Sequence, residues 1–198
     1  LRVEGYSAAT WFRLEDARNV MLQSDPPGTQ VLVAHATTAD RALLATVAFS
    51  ILRGHTGAAT QLGCAVPAVL QIYPCSVAMR GSVHLDHRGH GFNHVLRYYA
   101  IEAARRGRLP QMLSVQAEAA PQGQVTRKLG YRYTKVDTTG MFTVRMPHGM
   151  FLVRLPRSAY DDALAGLREL LGPTLDNSTW EGERWTLDGA PALGPLGR

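Results

Sequence analysis

Between His84 and His94 the chain reads HLDHRGHGFNH, with four histidines, one aspartate, one arginine and two glycines in eleven residues. Two chemistries use such a set. In the first, the histidines ligate a metal: on a helix His90 and His94 share a face at i, i+4, as zinc-binding pairs do. His84 and His87 fall instead at a strand end and in a turn, and Asp86 is the one carboxylate at ligand spacing, so no full tetrahedral set is assembled. The expectation is no metal. In the second, the run is a phosphate loop. Gly89 and Gly91 let the backbone approach a ligand with no Cβ in the way. A helix that starts directly after them presents N–H groups lacking internal acceptors, together with the positive end of its dipole. Arg88 adds a cation, and a pyrophosphate suits such a site. This reading uses the glycines, the arginine and the helix together.

The elements that position this loop follow from periodicity. CSVAMRGSVHL (75–85) alternates as a strand does, and after DHRGHG the residues Phe92, Val95, Leu96, Tyr99 and Ala103 fall on one helical face, with Gly107 and Pro110 as stop signals. QMLSVQA is a short strand and GQVTRKLGY a second helix closed by Gly130. Upstream, residues 8–22 read as an amphipathic helix, and QVLVAHA and ALLATVAFSIL as strands joined through TTADR. Downstream, YRYTKV, MFTVRM and GMFLVRL are strand candidates. A last helix in SAYDDALAGLRELLG turns Tyr160, Leu164, Leu167 and Leu171 inward. Residues 55–74 form an apolar, small-residue stretch longer than most connections. In it Leu62, Val66, Val69 and Leu70 are candidates either to wall an apolar channel or to cap the core. The order is mixed α/β in one domain, with boundaries at 1–175 and a Gly/Pro-rich tail over 176–198.

A chain of 198 residues with 45% hydrophobic and 19% charged residues has a globular composition. No apolar run approaches the ~18 residues of a membrane span. The first residues show neither the apolar core nor the cleavage site of a signal peptide. Two cysteines do not make a disulfide scaffold, and a cytoplasmic setting is expected. Cys75 is a nucleophile in principle, although a small buried cysteine is the commoner case. The net charge of +5 favours anionic partners. The basic residues are scattered and no nucleic-acid motif is present, so no nucleic-acid partner is expected.

Read together, VHLDHRGHGFNHVLRYYAIEAARRG, MLSV and VTRKLGY resemble the GNAT superfamily of acyl-CoA-dependent acyltransferases. The family's motif is a strand, then Arg/Gln-x-x-Gly-x-Gly/Ala, then a helix. Arg88, Gly91 and Asn93 occupy the three key places, the last departing from Gly/Ala. The resemblance covers roughly residues 76–135 and implies a single-domain GNAT-like α/β fold, with a mixed, largely antiparallel central sheet flanked by helices. It implies that the backbone from Gly89 through His90, Gly91 and Phe92 to Asn93, beside Arg88, holds the pyrophosphate of an acyl-CoA. It also implies that Val83, at the end of a splayed strand, hydrogen-bonds near the thioester.

The implied reaction is direct attack of an amine on the thioester, which requires a base, a polarised carbonyl and an acid for the sulfur. Glu118, at the mouth of the fifth strand, and His84 are the candidate bases. Many family members carry an Asn after the fifth strand and a Tyr on the next helix. Those places hold Ala119 and Thr126, and threonine is a poor acid. The acceptor is a small-molecule amine. Alternatives are long-chain N-acyl amino acid synthesis from an acyl-phosphopantetheine on an acidic acyl carrier protein, or a non-catalytic thioester-binding module.

Overall fold

The computed structural model describes residues 2–7, 30–35, 43–62, 64–117, 123–136 and 150–180. The helix expected over 8–22, the strand MFTVRM, Glu118 and Ala119 lie outside them. The described strands are β1 (Arg2–Ser7), β2 (Gln30–His35), β3 (Leu43–Leu52), β4 (Cys75–Val83), β5 (Gln111–Ala117), β6 (Arg132–Val136), β7 (Met150–Pro156) and β8 (Thr179–Trp180). They form one sheet in the order β6-β7-β5-β4-β3-β2-β1-β8. Neighbours are antiparallel except β4 with β5 and β1 with β8. The helices are α1 (His55–Leu62), α2 (Phe92–Arg106), α3 (Gly123–Lys128), α4 (Tyr160–Leu171) and α5 (Pro173–Asp176).

Strand alternation divides the core between the two faces. On one face Met112, Val153 and Leu155 pack with Val95, Leu96 and Tyr99 of α2 and with Tyr160, Leu164, Leu167 and Leu171 of α4. On the other, Leu113, Leu152 and Val77 pack with Ala58 and Leu62 of α1. The inward faces expected of α2 and α4 are the buried ones, with Phe92 half-buried. β1 and the sheet contact at Thr179–Trp180 are additions to the sequence reading. The parallel pairing Arg2↔Thr179 and Val3↔Trp180 carries the sheet past residue 175, where composition puts the domain edge.

The 55–74 stretch is built from α1 and a 3-10 turn at Ala68–Leu70. Leu62, Val66 and Leu70 are buried in the second core cluster, whereas Val69 is 78% exposed. The three buried residues belong to the core that covers the sheet, and Val69 faces solvent. Among the described residues no helix is long and apolar enough to cross a membrane.

Candidate functional site

β4 and β5 run side by side for only two residue pairs, Ser76↔Met112 and Val77↔Leu113. Beyond them the strands separate. β4 stays with β3, where Thr46 faces Ser82 but Ala48 faces Met79, so β4 carries one extra residue. A bulge of this kind bends a strand and re-aims the segment after it. The amide of His84 still donates to Leu44 O at 2.9 Å, which keeps the end of β4 on the β3 side of the gap.

The loop after β4 is a 3-10 turn at Leu85–His87 followed by the glycines. Gly89 has φ +87° and Gly91 has φ +79°, left-handed conformations that side chains disfavour. Gly91 is the N-cap of α2, and its carbonyl accepts from the amides of His94 and Val95 at 2.8 and 3.1 Å. Among the described residues no backbone carbonyl takes the amide hydrogens of Gly89, His90, Gly91 or Phe92. Four amide donors are therefore left without a backbone acceptor at a helix N-terminus, beside an exposed Arg88. This is the chemistry of an anion cradle.

Asn93 occupies the place where the resembled motif has Gly or Ala. Its partner on the strand is Gly81, where an added Cβ would stand 2.8 Å from Asn93 Oδ1. The bulk has been exchanged across the contact: the strand gives up its side chain where the helix carries a larger one.

A cavity of about 80 Å³ lies between α2 and the sheet where β4 and β5 part. That is several times the roughly 10–15 Å³ a single water needs. Its polar lining is Asn93, Arg97, Ser114, Gln116 and Tyr131, with Gly81 at the strand. The Arg97 guanidinium lies 5.6 Å from the centroid of the Tyr131 ring. Burial, and secondarily Arg97, pushes the His94 imidazole down from 6.5 to about 4, so it is neutral at pH 7.

Of the candidate catalytic residues, His84 and Thr126 do not line this cavity, and Glu118 lies outside the described residues. His84 is exposed, and its Nδ1 accepts from the amide of Asp86 at 3.4 Å and lies 3.8 Å from the Asp86 carboxylate. His87 packs beside it, with ring centroids 5.4 Å apart, and His90 stacks on Phe92 at 6.0 Å. Among the described residues no three His, Cys, Asp or Glu side chains converge as metal ligands. Val83 is half-buried against the α2 core. Cys75 is fully buried, and burial pushes its thiol up to about 12, far from a nucleophile at neutral pH.

Thr126 is fully buried in α3. Its hydroxyl donates to Gly123 O at 3.2 Å and touches the hydroxyl of Tyr133. Tyr133 O–H also reaches Gln116 Oε1 at 3.1 Å, and the Arg127 guanidinium sits 4.3 Å from its ring centroid. Sequence counting missed Tyr133 because it comes after Gly130, on the next strand. The signal available was the period of two that places Tyr133, in β6, on the same side as Tyr131 just before the strand.

No protein-family model matches the sequence, and no curated protein matches it. Solved structures do. The chain is similar to the CoA-dependent acyl-homoserine lactone synthase BjaI with SAM and isopentyl-CoA, at TM-score 0.60 and 14% identity over 92% of this chain and 94% of that one. It is similar to the CoA-dependent acyl-homoserine lactone synthase MesI at TM-score 0.58 and 13% identity, over 86% and 95%. The chain has a GNAT-like fold. Identity this low speaks to the fold, and the fold does not by itself assign an activity.

Proposed function

We propose that the protein is an acyltransferase that moves an acyl group from acyl-CoA to the amine of a small acceptor. The observation that carries this is the turn from Gly89 to Phe92. Its unaccepted amide donors stand at the N-terminus of a 15-residue helix, next to the gap between β4 and β5. The amides and Arg88 hold the pyrophosphate. The gap admits the pantetheine arm between strands that no longer satisfy each other's backbone groups, leaving the backbone around Val83 to polarise the thioester carbonyl. The extensive overlap with two CoA-dependent synthases supports the donor class.

Proton handling follows from the chemistry of aminolysis. An ammonium acceptor must lose a proton before attack, and His84 or Glu118 takes it. The departing thiolate needs a proton in return. Thr126 is too enclosed to deliver it, so we assign that role to Tyr133, positioned by Thr126 and in contact with the cavity-lining Gln116. The net charge of +5 also suits an acidic carrier protein as the source of a longer acyl chain.

The test is calorimetry with CoA together with amine-dependent thiol release from acetyl-CoA and longer acyl-CoAs. Micromolar CoA binding and thiol release that falls at least tenfold in Tyr133→Phe are expected. CoA binding without thiol release for any amine or chain length makes the domain a thioester-binding module. Absence of CoA binding overturns the reading.

A further inference from the structure

Among the described residues, the polar lining of the cavity carries one cation and no carboxylate. That cation is Arg97, whose Nη1 is buried with no hydrogen-bond partner. One turn earlier on the same face, His94 Nδ1 is also buried without a partner. A guanidinium cannot shed its proton, so burial cannot neutralise it as it neutralises a histidine. A buried donor that goes unmet costs free energy, even where the rest of the side chain is only half-buried as here. The cost is not a habit of this helix: farther along α2, Glu102 receives Arg105 at 2.8 Å and Arg106 at 2.9 Å. The Tyr131 ring, 5.6 Å away, partly offsets the charge of Arg97 but leaves Nη1 unmet.

We propose that Arg97 makes this cavity a carboxylate subsite, so that one of the two substrates carries a carboxylate that Arg97 reads. The proposal rests on the acyltransferase reading for the meaning of "substrate", and adds its chemical class. A carboxylate is planar, matches the guanidinium fork, and supplies the missing acceptor and the missing charge together. The other polar groups fit the same ligand. Gln116 Oε1 already accepts from Tyr133, so its amide nitrogen is the end left to offer, and that end is a donor. Ser114 adds a hydroxyl that can donate.

The carboxylate has two possible carriers: the acyl group of a dicarboxylic thioester, or an amino-acid acceptor. Two matched pairs separate them. Succinyl-CoA against butyryl-CoA varies the donor's charge, and L-leucine against L-leucinamide varies the acceptor's. Affinities are measured by calorimetry on the wild type, Arg97→Gln and Arg97→Lys, with circular dichroism as the check on folding. In one pair the wild type should prefer the carboxylate member by at least tenfold. Arg97→Gln should bring that ratio close to one, and Arg97→Lys, which keeps the charge and loses the fork, should fall between. The pair that responds names the carrier.

Equal affinities within both pairs for the wild type overturn the subsite. So does an Arg97→Gln protein that weakens CoA itself as much as succinyl-CoA, since Arg97 would then be holding the coenzyme. The amino-acid pair is measured without coenzyme. Failure of CoA to bind therefore removes the acyltransferase reading, while the leucine pair still decides for or against the subsite.

Discussion

At its C-terminal end α2 buries Glu102 between two guanidinium groups, whereas five residues earlier it buries Arg97 Nη1 with no acceptor at all. Both are charged side chains on one helix, facing inward. At the first, burial raises the carboxyl's pKa, but the hydrogen bonds and charges of Arg105 and Arg106 outweigh it and hold the carboxyl below its usual range. At the second, the neighbouring imidazole is driven neutral and the arginine is left with an aromatic face. A charge that is fully met serves the fold. A charge left unmet beside a cavity lowers stability and is in place for a ligand. The same helix therefore separates a structural end from a binding end, and substitutions at each end probe that division.

The largest effect should come from the paired end. Glu102→Ala removes the acceptor of three hydrogen bonds from Arg105 and Arg106, and bonds to charged groups contribute about 1.5–3 kcal/mol. Urea denaturation should show a loss of about 2–3 kcal/mol with CoA affinity retained in the folded fraction. A loss under about 0.5 kcal/mol, the range of an ordinary surface change, would mean the pairing is not structural, and the contrast would fail.

Acid should expose the two ends in different windows. The His94 pKa is lowered on folding from 6.5 to about 4, so between those values the unfolded chain binds a proton that the folded one refuses. Stability then falls as pH drops through that interval, by roughly 1–2 kcal/mol once solvent screening of a partly exposed ring is allowed for. Glu102 has the opposite charge type and a lowered pKa. Its contribution is present above the unfolded carboxylate value and is lost as pH falls through the folded one. Melting temperature against pH should show an upper step that His94→Gln removes and a lower one that Glu102→Gln removes. A single step insensitive to His94→Gln would show that the imidazole is not held neutral.

The glycine turn comes next. Alanine at a left-handed φ costs roughly 1–2 kcal/mol. Gly89→Ala meets nothing within 4 Å, so it registers the backbone cost alone, about 1 kcal/mol. At Gly91 the new Cβ would lie 3.1 Å from Leu171 Cδ2, and Gly91→Ala should cost more than Gly89→Ala. Both should weaken CoA by moving the amide donors. Equal melting temperatures and unchanged CoA affinity would remove the cradle.

These sites differ in how openly the sequence declares them. The buried face of α2 was legible because Val95, Leu96, Tyr99 and Ala103 obey the helical period, and the turn was legible because Gly89 and Gly91 stand between a strand pattern and a helix pattern. β1 was not: in RVEGYS the alternation sets Val3 with Gly5 and Ser7, which is no apolar face, and the strand is defined by its antiparallel pairing with β2. β8, at two residues, is too short for any periodicity. Arg97, between Leu96 and Tyr98, looks like any solvated helix residue. Its environment depends on β4 and β5 parting after Val77, a property of pairing that composition does not encode. Tyr133 escaped for a similar reason, since its contact with Thr126 depends on how β6 lies against α3.

The smallest effect has the most telling sign. Arg97→Met keeps the length and apolar stem of the side chain and removes the guanidinium. On one side, the protein loses the attraction to the Tyr131 ring, about 0.5–1 kcal/mol for such a pair. On the other, it no longer buries a donor that nothing accepts, which for a half-buried side chain relieves about 1–1.5 kcal/mol, the low end of the usual range. The second exceeds or matches the first, so the ligand-free variant should be as stable as the wild type or up to about 1 kcal/mol more stable, where most buried-residue changes destabilise. Urea denaturation without ligand measures this directly. A loss above about 1 kcal/mol, the centre of the range for ordinary destabilising changes, would show that Arg97 is met within the folded protein. The two ends of α2 would then be alike, and the cavity would have no claim on an anion.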